Sequence, residues 1–194
     1  MNKLLILFLS IFFVFVVSAQ TFKEVPCSFT DGTYSFALPT AKQCSVEIKM
    51  QLDKKRMEIN SCSSVIKQSS LPIEENIKGC HTKLLYSPKI KLGFLFCEFY
   101  NDMSLGVKVY KLDGEKVSEI SELPFAAYTS ENGERMNYNS ILPYLSIIRS
   151  GARTLMFFNN PISVMNPNKK EEQILESKDF YFELSSQGFE LKKY

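Results

Sequence analysis

The dipeptide Asp31-Gly32 sits between two runs of alternating character, and it constrains the chain more than any other local feature. Asp-Gly supplies the positive backbone angles of a two-residue hairpin turn at little cost. Folding about it opposes Thr30 to Thr33, Phe29 to Tyr34, Ser28 to Ser35, Cys27 to Phe36 and Val25 to Leu38. Polar meets polar and apolar meets apolar, which is how cross-strand pairs stabilise an antiparallel sheet. The pairing puts Cys27 on the apolar face, and Pro26 suits an edge strand or a strand start.

Period two recurs downstream. Val46, Ile48, Met50 and Leu52 alternate with Glu47, Lys49 and Gln51, and Met57 and Ile59 continue after the polar turn 53–56. Residues 63–82 are Ser-rich with Pro72 and Gly79, and they read as a long loop with at most one helical turn. From Lys89 to Tyr100 both faces are apolar, which places that strand at the centre of the core. A second Asp-Gly pair, Asp113-Gly114, opposes Lys111 to Lys116 unless the turn shifts by one residue. Leu123–Tyr128 is a further strand, and 131–139 reads as a polar loop.

Helical spacing enters only in the last third. Ile141, Tyr144, Leu145 and Ile148 predict a helix capped by Asn139-Ser140 and ended by Gly151. Asn168 and Glu171 predict a short helix through Ser177. At the C-terminus a hairpin turn at Ser186-Gln187 would oppose Glu183 to Glu190. A turn at Gln187-Gly188 pairs Glu183 with Lys192 and Tyr181 with Tyr194, so charge selects the second. Phe180, Phe182, Leu184, Phe189 and Leu191 then share one apolar face. The chain therefore predicts about ten to twelve strands in a single mainly antiparallel β domain. Its form is a sandwich or a barrel, with one or two short helices in the last third.

The N-terminus sets the compartment. Met1–Lys3 is short and positive, and Leu4–Val17 is a fourteen-residue, almost wholly apolar run. That is the length of a signal-peptide core and short of the roughly twenty residues that span a bilayer. Val17-Ser18-Ala19 places small or modest residues at a cleavage site before Gln20. The expectation is a signal peptide over 1–19 and one exported domain over 20–194, periplasmic or extracellular, with no stable membrane span after cleavage.

With 23 basic and 21 acidic side chains the chain is near neutral, which excludes a charge-driven nucleic-acid binder. Its five cysteines, at 27, 44, 62, 80 and 97, lack the close pairs of a zinc site. Export permits disulfides. The preferred pair is Cys44 with Cys62, whose strands adjoin through the 53–56 turn. A plain two-residue turn at Lys54-Lys55 leaves their register imperfect, so a bulge near Ser61 or Gln43 is expected.

Few chemistries can be built from these residues. His81 is the only histidine, and it follows Cys80 directly. Neighbours on an extended chain point to opposite sides, so the two make a poor nucleophile–base pair. His81 reads as an exposed loop histidine beside a disulfide cysteine. Glu74-Glu75 and Glu171-Glu172 read as solvated pairs, and Ser150–Arg153 as a helix end rather than an anion nest. No nucleophile elbow, phosphate loop, dinucleotide fingerprint or calcium loop is present. The 16 Phe and 9 Tyr read first as core and secondly as the wall of an apolar pocket. No catalytic, cofactor or metal residue is assigned and no cofactor is expected. The functional expectation is an exported non-catalytic binding or interaction module, partnered by a cell-envelope component or a small apolar ligand. The alternative is a secreted hydrolase using paired carboxylates.

Overall fold

A computed structural model of the chain describes residues 19–40, 44–51, 56–62, 64–70, 77–102, 104–114, 116–131, 135–167 and 173–194. In chain order the strands begin β1 (Gln20–Thr21), β2 (Lys23–Val25), β3 (Cys27–Thr30), β4 (Thr33–Ala37), β5 (Ser45–Gln51), β6 (Arg56–Ser61) and β7 (Ser64–Ser70). There follow β8 (Gly79–Ser87), β9 (Leu92–Tyr100), β10 (Ser104–Asp113), β11 (Lys116–Leu123), β12 (Ala126–Glu131) and β13 (Arg135–Asn139). The last are β14 (Leu145–Ser150), β15 (Arg153–Phe158), β16 (Ser163–Met165), β17 (Ile174–Glu176), β18 (Phe180–Ser185) and β19 (Gly188–Lys193). Every pairing among them is antiparallel.

Four sheets result, in the strand orders β3-β4-β5-β6-β7, β11-β10-β9-β8-β2, β13-β12-β16-β17 and β1-β14-β15-β18-β19. The second of these is the central layer. On one face Leu84, Tyr86, Leu95 and Phe99 join Phe36, Val46, Ile48, Met57 and Ile59 of the N-terminal sheet in one buried cluster. On the other, Leu85, Phe94, Phe96 and Val109 join Ala127 and Val164 of the third sheet with Ile147, Met156, Phe180 and Phe182 of the fourth. This explains why β9 is apolar on both sides: its side chains fill two cores in alternation, each large one contributing about 1.5–3 kcal/mol by burial. The mainly antiparallel β class holds, built as stacked layers.

The first hairpin has the register its turn dictates from Cys27–Phe36 to Thr30–Thr33, but Val25, expected opposite Leu38, leaves the hairpin and pairs with Leu84 of β8. Cys27 differs from expectation, because β3 is an edge strand whose four residues are all exposed. The second Asp-Gly turn takes the one-residue shift that relieves the lysine repulsion, pairing Asp113 with Lys116 and Lys111 with Ser118.

Local helical signals lose to sheet pairing. Of the helix expected after Asn139-Ser140, Leu142–Tyr144 forms a single 3-10 turn, and Leu145–Ser150 is a strand bonded to β1 and β15. Leu145, Ser146 and Ile147 also read as period two, and the β-branched Ile147 and Ile148 favour a strand. Gly151, at φ +60°, is the first central residue of the β14–β15 turn and not a helix end. Residues 168–172 lie outside the described residues. Ile174–Glu176 is strand rather than helix, followed by a 3-10 turn at Ser177–Asp179. The expected loops at 63–82 and 131–139 contain strands as well: β7 forms a sheet edge, β8 starts at Gly79, and β12 pairs with β13.

The C-terminal hairpin turns at Ser186-Gln187 and opposes Glu183 to Glu190, which corrects the charge-based register. A neighbouring strand removes the repulsion that argument relied on. Arg153 grips Glu183 through Nε at 2.6 Å and Nη2 at 2.9 Å, and Lys192 lies 3.0 Å from Glu190. Hydrogen bonding from Arg153 holds the Glu183 carboxyl below the usual range. Tyr181 and Tyr194 still meet, diagonally, with ring centroids 5.1 Å apart.

Candidate functional site

The β8–β9 ladder sets Gly79 opposite Tyr100 and His81 opposite Glu98. Gly79 has no side chain, and a Cβ there would overlap the Tyr100 ring and hydroxyl, so glycine lets that ring lie across β8. The exposed His81 ring stacks on Tyr100 with centroids 4.4 Å apart and planes 17° apart. Around this pair opens a cleft of about 170 Å³, lined by His81, Glu98, Tyr100, Asn101, Asp102, Ser104, Asn139 and Ser140.

Its floor is Glu98, which is 0% exposed. Ser104 Oγ donates to Oε1 at 2.8 Å, Ile141 N–H donates to Oε1 at 3.0 Å, and Ser140 Oγ donates to Oε2. A buried carboxylate needs such donors, because an unpaired one forfeits its solvation. At the rim Lys78 pairs with Asp102. Beneath the cleft the buried Lys83 donates to the carbonyls of Leu142 at 2.9 Å and Leu145 at 3.0 Å, and its ammonium lies 3.4 Å from the Glu24 carboxylate. Glu98 and Lys83 thus hold the two ends of the 3-10 turn on the central sheet, the anion at its N-terminal end and the cation at its C-terminal end, as backbone dipoles favour.

Strand alternation sends Cys80 and Cys97 to the other face, away from His81 and Glu98. Both are buried free thiols. Burial pushes the Cys80 thiol well above its usual range, and a hydrogen bond with Cys97 adds to the shift. Cys80 is therefore not a disulfide cysteine as expected, and His81 sits on a strand rather than in a loop. Cys44 is bonded to Cys62 with Cα atoms 5.5 Å apart, at a site separate from the cleft. The β5–β6 register pairs Val46 with Ser61, so the chain meets the geometry without the expected bulge. Glu74-Glu75 and Glu171-Glu172 lie outside the described residues.

Glu98, Tyr100, Asp102, Asn139 and Ser140 were not legible as a site from sequence. One signal was present: Glu98 is the only charged residue within the apolar run Leu92–Tyr100. Among the described residues no group of three or more His, Cys, Asp and Glu is placed to hold a metal ion. No helix among them is long and apolar enough to cross a membrane.

Fold and cleft together define a layered all-β protein with a small polar cleft at one end of its central sheet. The chain matches no protein-family model, no curated protein and no solved structure.

Proposed function

We propose that the chain is exported and acts without catalysis, as a binding module whose cleft takes a sugar unit of a cell-envelope glycan. The observation that carries this reading is the cleft lining: amides, hydroxyls and two carboxylates beside a stacked pair of rings, the exposed His81 on the half-buried Tyr100. Amides and hydroxyls both donate and accept, as sugar hydroxyls require, and the exposed His81 ring, stacked on Tyr100, offers a flat face to the sugar's C–H groups. The volume, about 170 Å³, is below the roughly 300–1,000 Å³ of drug-sized pockets, so one sugar unit is the suitable scale. Because this cleft is polar, a polar ligand is favoured over an apolar one. Export is supported by the fourteen-residue apolar run and by the Cys44–Cys62 bond.

The carboxylate-hydrolase reading has one observation in its favour, that Glu98 and Asp102 line the same cleft. Against it, Glu98 already accepts three protein donors and Asp102 is ion-paired with Lys78. Thermal unfolding with soluble N-acetylhexosamine oligosaccharides separates the two. Binding raises the melting temperature with concentration, by mass action on the native state. Absence of any shift at millimolar sugar overturns the binding reading, and sugar turnover lost in Glu98→Gln establishes the hydrolase.

A further inference from the structure

We propose that the cleft selects a sugar bearing a free amine, a de-N-acetylated hexosamine, and that buried Glu98 sets this preference by fixing the direction of two serine hydroxyls. This rests on the binding reading above and names the ligand class of that same site. A serine hydroxyl has a single proton to donate. Ser104 Oγ donates its proton to Glu98 Oε1 at 2.8 Å, and Ser140 Oγ donates its own to Oε2. Both serines line the cleft, so their oxygens are left with lone pairs alone for a ligand. One lone pair of Ser140 Oγ already takes the Leu142 N–H at 3.4 Å. Donation to a carboxylate also polarises a hydroxyl and strengthens it as an acceptor. Glu98 is 0% exposed, so it acts through the two serines as a positioning residue.

Charge points the same way. The lining holds two carboxylates, Glu98 and Asp102, and among its described residues no lysine or arginine. Asp102 is exposed at the rim, and its salt bridge with Lys78 is made through Oδ1. An ammonium suits such a site, having three donors, no acceptor and a positive charge. An N-acetyl group offers one N–H and turns a carbonyl toward acceptors. A uronic acid brings a further carboxylate, acceptor-only and of the wrong sign. The expected order of affinity is free amine, then N-acetyl, then uronic acid.

The test is titration of the purified protein, near neutral pH, with oligosaccharides of glucosamine, N-acetylglucosamine and galacturonic acid. The glucosamine form is expected to bind about tenfold tighter than the N-acetylated one, as charge-assisted hydrogen bonds exceed neutral ones, and the uronate weakest. Asp102→Asn, at an exposed position, should lower the amine-to-N-acetyl ratio several-fold. In Glu98→Gln the side-chain amide donates to one serine, whose own proton then turns to the cleft. Affinity for the uronate should rise there while affinity for the amine falls. Loss of all three sugars together in Glu98→Gln overturns the role of Glu98, because a merely structural defect does not reorder ligands. Equal affinity for the amine and N-acetyl forms, or an unaltered ratio in Asp102→Asn, overturns the proposal while the binding reading stands. Binding of none of the three overturns both.

Discussion

Lys83 and Glu98, on neighbouring strands of the central sheet, grip opposite ends of one 3-10 turn. Lys83 Nζ reaches the Leu142 and Leu145 carbonyls at 2.9 and 3.0 Å, and Glu98 Oε1 takes the Ile141 N–H at 3.0 Å. That double grip brings Ser140 to the cleft and fixes the approach to β14.

Lys83→Met takes the ammonium from the Leu142 and Leu145 carbonyls, of which Leu142 keeps the Leu145 N–H, and should cost about 1–3 kcal/mol by the loss of buried charged hydrogen bonds. Urea unfolding should show that loss with an unchanged m-value. A loss under about 0.5 kcal/mol, the range of ordinary surface changes, would show that the contact carries little.

Gly188 reports on the C-terminal register. It sits at φ +105°, and a Cβ there would overlap the Ile120 carbonyl oxygen and the Ser121 hydroxyl, while Ser121 Oγ accepts the Phe189 N–H at 2.7 Å. Gly188→Ala should therefore cost well over the roughly 1 kcal/mol of a simple conformational penalty. Gly114, at φ +61° with open space around it, is the comparison site. Denaturant midpoints for the two variants check this. Equal shifts would contradict the packing of β19 on β11.

This register shows where sequence reasoning stops. The Asp31-Gly32 hairpin and the central place of β9 were legible because turn chemistry and alternation act along the chain itself. The C-terminal register was not, because Arg153, some thirty residues upstream, neutralises Glu183 from an adjacent strand. The same holds at 141–148, where helical spacing and period two coexist and only the partners β1 and β15 decide between them. The cleft was hidden for a related reason: it joins His81, Glu98 and Ser140, which come together only through pairing and the turn. Of these only His81 was singled out, and as an inert residue.

Tyr34 gives a pH signature. Its hydroxyl donates to the Cys80 carbonyl at 2.6 Å, and burial, aided by Cys80 and other neighbouring groups, pushes its pKa up to about 12. The unfolded value is about 10, so the unfolded chain loses its proton first as pH rises. The stability held below about pH 10 therefore declines between about 10 and 12. Tyr34→Phe should cost about 1 kcal/mol at neutral pH through the lost hydrogen bond, and should flatten that alkaline decline. Urea unfolding from pH 8 to 11 decides it, and an unaltered alkaline slope in the variant would contradict the assignment.

Cys44 and Cys62 close a loop with a sequence separation of 18. Replacing both by Ser should cost about 3 kcal/mol by the chain-entropy account of such loops. Non-reducing peptide mapping should recover the linked pair, with Cys27 alkylated in the native protein and Cys80 and Cys97 only after unfolding. A Cys27–Cys97 bond, or five free thiols in exported protein, would contradict this assignment.

The binding reading is tested most directly by heteronuclear NMR of the mature protein titrated with a soluble N-acetylglucosamine oligosaccharide. The account predicts concentration-dependent amide shifts confined to Asn101, Asp102, Ser104, Asn139 and Ser140, with the sugar intact afterwards. In His81→Ala, which removes one ring of the stacked pair, those shifts should weaken by about tenfold in affinity, the equivalent of roughly 1.4 kcal/mol. Shifts centred elsewhere, none at millimolar sugar, or cleavage of the oligosaccharide would contradict it.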